Sequence, residues 1–286
     1  MSGSATSPKF DLSPGLESRV RLNDGVLMPV LGLGVWQTPA GSATHDAVRH
    51  ALATGYRLID TATIYENEEA VGSAIRASGV PREDVFVTTK VWNDDQGFEA
   101  ALAAFDRSRR ALGLSTIDLY LIHWPVPRAR TETWRALTRL LREGKCRSIG
   151  VSNFTVAHLE ELRRESEVVP SVNQVEFSPF LFQSGLLRYC RSHGIQLEAY
   201  APLTRGRRLE DSAVVRVARA HRKSPAQVLI RWGLQHDVVE IPKSARPDRI
   251  EENANVFDFE IAPEEMTLLD GLDEGYRTTW DPTRMA

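Results

Sequence analysis

From residue 30 onward the chain alternates short apolar runs with amphipathic stretches, and this rhythm limits the folds open to it more than any single motif does. Strand-like runs occupy 30–35, 57–60, 85–90, 117–122, 147–151, 171–175, 196–199 and 238–241. Helix-like stretches fall at 44–54, 67–78, 98–112, 131–143, 156–165 and 184–193, within 208–235, and at 247–254. Eight strands each followed by helix predict an α/β fold, a parallel (β/α)8 barrel, because a doubly wound sheet usually has fewer strands and a Gly-rich first turn. Gly32-Leu33-Gly34 lacks the third glycine of such a turn and the acid that would hold a ribose, so close packing is the better reading.

Asn23-Asp24-Gly25, between two short runs, suits a tight hairpin closing the bottom of the barrel. Residues 1–18, rich in Ser, Gly and Pro, are expected to form a mobile tail, with 19–286 a single barrel domain that ends in a short helix and tail. A hydrophobic fraction of 42% in 286 residues supports a large core, while a net charge of -3 and a pI near 6.2 give no footprint for nucleic acid. No apolar run reaches the roughly 20 residues of a membrane span, and the N-terminus lacks the pattern of a secretion signal. Cys146 and Cys190, in patterns read as helical or helix-terminal, show no metal-ligand spacing. The expectation is a cytoplasmic monomer that handles small molecules and holds no metal.

Chemistry collects at the strand ends. Asp60, Lys90 and His123 close three successive apolar runs, and the loop after the first of them carries Tyr65. Taken singly, each has a bland reading: a capping carboxylate, a rim cation, a satisfied core imidazole, a half-buried aromatic. Together they form a proton-donor set at the carboxyl rim of one barrel. A phenol has an ordinary pKa near 10, which a neighbouring lysine ammonium would lower; Asp60 would keep Lys90 charged, and apolar surroundings would keep His123 neutral.

Asp60-Thr-Ala-x-x-Tyr65-x-Asn-Glu68, Thr88-Thr-Lys90, Leu121-Ile-His123-Trp124-Pro125, Gly150-Val-Ser-Asn-Phe154, Asn173-Gln-Val-Glu176 and Ile241-Pro-Lys-Ser244 together resemble the aldo-keto reductase family, in order across about residues 19–280. The resemblance extends to compact bacterial members such as diketogluconate reductase-like enzymes. It implies a catalytic tetrad of Asp60, Tyr65, Lys90 and His123 and an NADPH cofactor held across the barrel mouth. Ser152, Asn153 and Gln174 would bind the carboxamide, Tyr200 would stack on the nicotinamide, and Leu203 begins the segment crossing the pyrophosphate. Lys243, Ser244 and Arg249 match the positions that hold the 2′-phosphate, with Asn253 beside the adenine. Trp36, Trp92 and Trp124 are expected to line the substrate wall with His123, and Trp280 to join them from the tail; Trp134 and Trp232 sit in helical patterns and are assigned to the core. The activity implied is reduction of aldehydes and ketones to alcohols, an NADP-dependent alcohol dehydrogenase type of reaction, with Tyr65 as proton donor.

Two other classes compete. A barrel that binds the cofactor for regulation, without significant turnover, is disfavoured by the intact tetrad. A metal-dependent hydrolase would need several converging His or carboxylate ligands, and only His123 is placed for that role.

Overall fold

The structure, a computed structural model, describes residues 10–13 and 15–285. Residues 1–9 and 14 of the expected tail thus lie outside the described residues. The rest of that segment is packed: Phe10, Leu12 and Leu16 lean on the core, and the Phe10 N–H donates to Asp237 Oδ1 at 2.8 Å. The apolar side chains in this stretch, few as they are, give the Ser- and Pro-rich leader something to bury.

Strands β1 (Arg19–Arg21) and β2 (Leu27–Pro29) form the antiparallel hairpin, turning through Gly25 at a φ of 89° that glycine adopts without strain. Asn23 Nδ2 donates to Pro170 O at 3.0 Å and Ser171 Oγ to Asp24 Oδ2 at 2.6 Å. These bonds tie the hairpin to the amino end of β8 (Val172–Glu176), the bottom of the barrel.

The remaining strands are β3 (Leu33–Gly34), β4 (Leu58–Asp60), β5 (Phe86–Val91), β6 (Ile117–Ile122), β7 (Cys146–Ser152), β9 (Gln196–Tyr200) and β10 (Val239–Ile241). With β8 they make one eight-stranded parallel sheet in sequential order. The ring closes where the Gly32 N–H donates to Glu240 O at 2.8 Å and the Glu240 N–H to Val30 O at 2.9 Å. Gly34 permits the approach, since a Cβ there would lie 3.0 Å from Ile241 O. The glycines at 32 and 34 therefore serve packing.

Helices α1 (Ser42–Thr54), α2 (Glu68–Ala77), α3 (Phe98–Leu112), α4 (Arg130–Arg142), α5 (Val156–Glu165) and α6 (Ser184–Ser192) follow β3 to β8 in turn. The helical region of 208–235 proves to be two helices, α7 (Ser212–His221) and α8 (Pro225–Gln235). Arg222 turns left-handed at the end of α7, and Ser224 with Gln227 makes a capping box around Pro225. Helices α9 (Pro247–Ala254) and α10 (Pro263–Asp270) complete the chain's regular structure. Trp134 and Trp232 are each 1% exposed and belong to the core as expected; truncating either to Ala would cost about 3 to 5 kcal/mol. Cys190 lies in α6, but Cys146 opens β7, where a helical or helix-terminal position had been expected; both are buried free thiols. Among the described residues no helix is long and apolar enough to cross a membrane.

Candidate active site

Strands β5, β7, β8 and β9 run one residue further toward their carboxyl ends than the apolar patterns suggest, and β4, β6 and β10 end where expected, so that polar side chains are held on regular backbone at the rim. Asp60 is the last residue of β4, and Lys90 lies within β5 with its side chain wholly buried. Lys90 Nζ donates to Asp60 Oδ1 at 2.7 Å and to Thr61 O at 2.8 Å. Tyr65 ends a short helical turn (Thr63–Tyr65), which places its ring 5.2 Å from Lys90 Nζ. His123 follows β6 directly, held by its own N–H to Val91 O at 3.2 Å. Its ring meets Tyr65 edge-on at 5.7 Å and Trp92 at 5.1 Å. The four residues expected at the rim are thus brought together.

Their electrostatics differ from expectation at one point. Burial, then the charges of Asp60 and Glu198, push the Tyr65 phenol well above its ordinary value, where a lowered value had been expected from Lys90. The ammonium is committed to Asp60 and lies over the ring, so dehydration and two nearby carboxyls outweigh it. His123 follows expectation: burial and then Lys90 push its imidazole well below the usual histidine range, keeping it neutral. Its Nδ1 is buried with no hydrogen-bond partner among the described residues.

The residues expected around a carboxamide form one connected network. Asn153, at the left-handed φ of 64°, donates from Nδ2 to His123 O and to Ser152 Oγ, each at 3.0 Å. Its Oδ1 accepts from the Tyr200 hydroxyl at 2.8 Å. Asparagine adopts this conformation more readily than most residues, and the bonds on both ends of its amide fix it there. Gln174 Nε2 donates to Asp60 Oδ2 and to Glu198 Oε2, both at 2.8 Å, leaving the carbonyl oxygen as that side chain's acceptor.

The remaining expected residues lie apart from this network. Beyond β10, Lys243 pairs by backbone with Gly34, Ser244 is buried, Arg249 sits in the first turn of α9, and Asn253 is buried in the same helix. Arg246 is spent on Asp248, whereas Lys243 and Arg249 are exposed and have no carboxylate partner among the described residues. Leu203 precedes a turn in which Thr204 and Arg205 both adopt positive φ. Arg205 lies over the Trp36 ring at 4.3 Å, so Trp36 faces that turn, while Arg208 is held by Glu274, Phe180 and Tyr276. Trp124 and Trp92 do meet, through Trp280, at 5.4 and 6.2 Å.

Two features escaped the sequence reading. The Glu176 carboxylate, at the end of β8, accepts bonds from both N–H and O–H groups of Thr278 and of Thr279, fastening the C-terminal tail beside the site. Thr279 Oγ1 also lies 2.9 Å from the Tyr200 hydroxyl. Glu176 stands in a motif already singled out, but its partners lie a hundred residues away. The other is Glu198, fully buried inside β9; a charged residue between Leu197 and Ala199 in a strand was the available signal.

The Aldo/keto reductase family model matches residues 30–274. Glyoxal reductase of Bacillus subtilis (strain 168) is 51% identical over 270 residues, covering 94% of this chain and 98% of that protein. Among solved structures, an aldo/keto reductase from Brucella melitensis superposes with a TM-score of 0.86 at 48% identity, over 89% of this chain and 99% of the other. A point mutant of Gox0644 in complex with NADPH superposes with a TM-score of 0.88 at 41% identity, over 93% of this chain and 97% of the other. A closed (β/α)8 barrel, this rim and these likenesses agree: the chain belongs to the aldo/keto reductase family of oxidoreductases.

Proposed function

We propose that the protein is an NADPH-dependent reductase of aldehydes and ketones in which Tyr65 gives the proton. The observation that carries this reading is the assembly of buried Lys90, Asp60 and His123 with half-buried Tyr65, with the Lys90–Asp60 bond of 2.7 Å at its base. When bound, the cofactor supplies hydride to the carbonyl carbon. As negative charge develops on the carbonyl oxygen, the Tyr65 O–H bond breaks and a new O–H bond forms on the substrate. Lys90 then lies beside the phenolate left behind, so its charge acts late, when it is needed. Neutral His123 orients the carbonyl oxygen, and Asp60 holds Lys90 in place.

The residues fit the cofactor. Gln174 has its carbonyl oxygen left to accept from a carboxamide, and Ser152 and Asn153 are fixed beside it. Lys243 and Arg249 are cations without carboxylates, next to the N-terminus of α9, a combination suited to the 2′-phosphate. Trp92, Trp124 and Trp280 would border apolar or flat carbonyl compounds.

The test is NADPH absorbance against a panel of aldehydes, ketones and keto-sugars, glyoxal included because the Bacillus subtilis relative is a glyoxal reductase. Tyr65→Phe should lower turnover by about 10² to 10⁴-fold with cofactor affinity unchanged. Near-normal turnover of that variant at saturating NADPH would remove Tyr65 from the mechanism.

A further inference from the structure

We infer that Glu198 is a further positioning residue for proton transfer at this site, acting through the Gln174 amide that it shares with Asp60. The inference rests on the reading of Tyr65 as proton donor. It begins from a charge imbalance. Lys90 is the cation bonded into this part of the barrel interior, and it serves Asp60 directly. One amide group then bridges Asp60 Oδ2 and Glu198 Oε2, and Glu198 Oε1 is buried with no hydrogen-bond partner among the described residues. An ionised carboxylate needs several donors when water is excluded, and this one has a single neutral donor. Glu198 therefore keeps its proton at neutral pH while Asp60 holds the negative charge.

Among the groups facing Glu198, the Asp60 charge favours its protonated form, and Lys90, already bonded to Asp60, opposes it. Burial and then the Asp60 charge push its carboxyl up to about 8, with the Gln174 bond and Lys90 opposing. On the neighbouring strand, Glu240 is pushed well up by burial and then by Glu198 itself, and a carboxyl there offers Glu198 no positive charge. Room for Glu240 exists because residue 233 is glycine, where a Cβ would collide with that carboxyl. Tyr65, the remaining titratable neighbour, feels Glu198 as a group that raises its phenol further.

Loss of the Glu198 proton at alkaline pH adds a second negative charge near Tyr65 and favours its protonated form. The phenol competent to donate in carbonyl reduction is then retained to higher pH. The phenolate needed to accept a proton in alcohol oxidation is correspondingly delayed. Glu198 thus biases the site toward reduction without touching the reacting atoms.

The experiment measures kcat/KM against pH in both directions, with NADPH and a carbonyl and with NADP+ and the matching alcohol. It compares the wild type, Glu198→Gln and Tyr65→Phe. Glu198→Gln keeps the volume and the bond from Gln174 but cannot ionise. Its alkaline limb in reduction, and its alkaline onset of oxidation, should both move down by about 1 pH unit, the order of magnitude of a nearby like charge. Superposable profiles for a folded Glu198→Gln protein overturn the inference, as does a uniform fall in kcat that leaves the limbs in place, since that marks a merely structural role. Near-normal turnover of Tyr65→Phe instead overturns the proton-donor reading. Should Glu198→Gln fail to fold, infrared spectra of the wild type and of Glu240→Gln decide the matter. A protonated-carboxyl band that is lost near pH 8 in both supports the assignment, and its absence from both refutes it.

Discussion

Asp60→Asn removes one charge from a pair that has almost nothing else to rely on. The Lys90 side chain is entirely buried, and besides Asp60 it has the Thr61 carbonyl at 2.8 Å and the face of the Tyr65 ring at 5.2 Å. Neither a carbonyl dipole nor a ring quadrupole replaces a full counter-charge in a dry interior, and breaking a buried pair on one side costs about 3 to 5 kcal/mol. For a chain of this size that corresponds to a fall in Tm of about 5 to 8 °C. Adding Lys90→Met removes the stranded ammonium, and the double variant should return to within about 1 kcal/mol of wild type while staying inactive. In the single variant the Asp60 charge that helps push Glu198 up is gone, so Glu198 should ionise below about pH 8 and stand in for Asp60, and the deficit should narrow as the pH rises. Urea denaturation followed by circular dichroism at about pH 7 and pH 9 measures all three. An Asp60→Asn protein within about 1 kcal/mol of wild type, or a double variant no more stable than the single one, would refute the picture of a dehydrated pair.

Other expectations concern cofactor choice, substrate and acidity. Arg249→Ala or Lys243→Ala should weaken NADPH binding by roughly ten- to a hundredfold, the loss of one charge-assisted contact, and NADH binding much less. Fluorescence titration of both cofactors at low and moderate salt reads this, and equal wild-type affinity for the two under both conditions would rule the assignment out. Trp124→Ala opens the contact with Trp280 and should change relative rates across a carbonyl panel more than NADPH affinity; fixed ratios with collapsed affinity would place Trp124 elsewhere. His123 has its folded-state pKa depressed, so unfolding takes up a proton there below about pH 6.5; stability from this group is present above that value and is lost as pH falls. His123→Gln should flatten the acid side of a plot of stability against pH, and an unchanged slope would mean that His123 is not buried neutral.

The barrel was legible because its apolar rhythm needs no long-range information, and the glycines at 32 and 34 were legible as packing because the dinucleotide-binding pattern fails after them. The split between α7 and α8 was written in Ser224-Pro225-Ala226-Gln227, a cap and first-turn signal passed over within a longer apolar pattern. Other features depend on register. That Glu198 lies opposite Gln174, and Gln174 opposite Ser152, follows from strand pairing, which one sequence does not specify. The direction of the Tyr65 shift was lost for the same reason: Lys90 could be counted as a neighbour, but the depth of burial and the second carboxyl could not. Arg205 over Trp36 likewise depends on positive-φ backbone at Thr204 and Arg205, residue types from which that conformation is not expected.

The bonds from Thr278 and Thr279 to Glu176 bear on how freely this scaffold can be re-engineered. The tail that carries Trp280 into the aromatic cluster is anchored by a carboxylate at a strand end, and the same Thr279 hydroxyl leans on Tyr200, whose own hydroxyl holds Asn153. Grafting a foreign tail to redirect selectivity would therefore also disturb the network around Asn153 unless Thr278 and Thr279 were carried over. The proposed substrate wall and the proposed cofactor cradle would therefore have to be redesigned together.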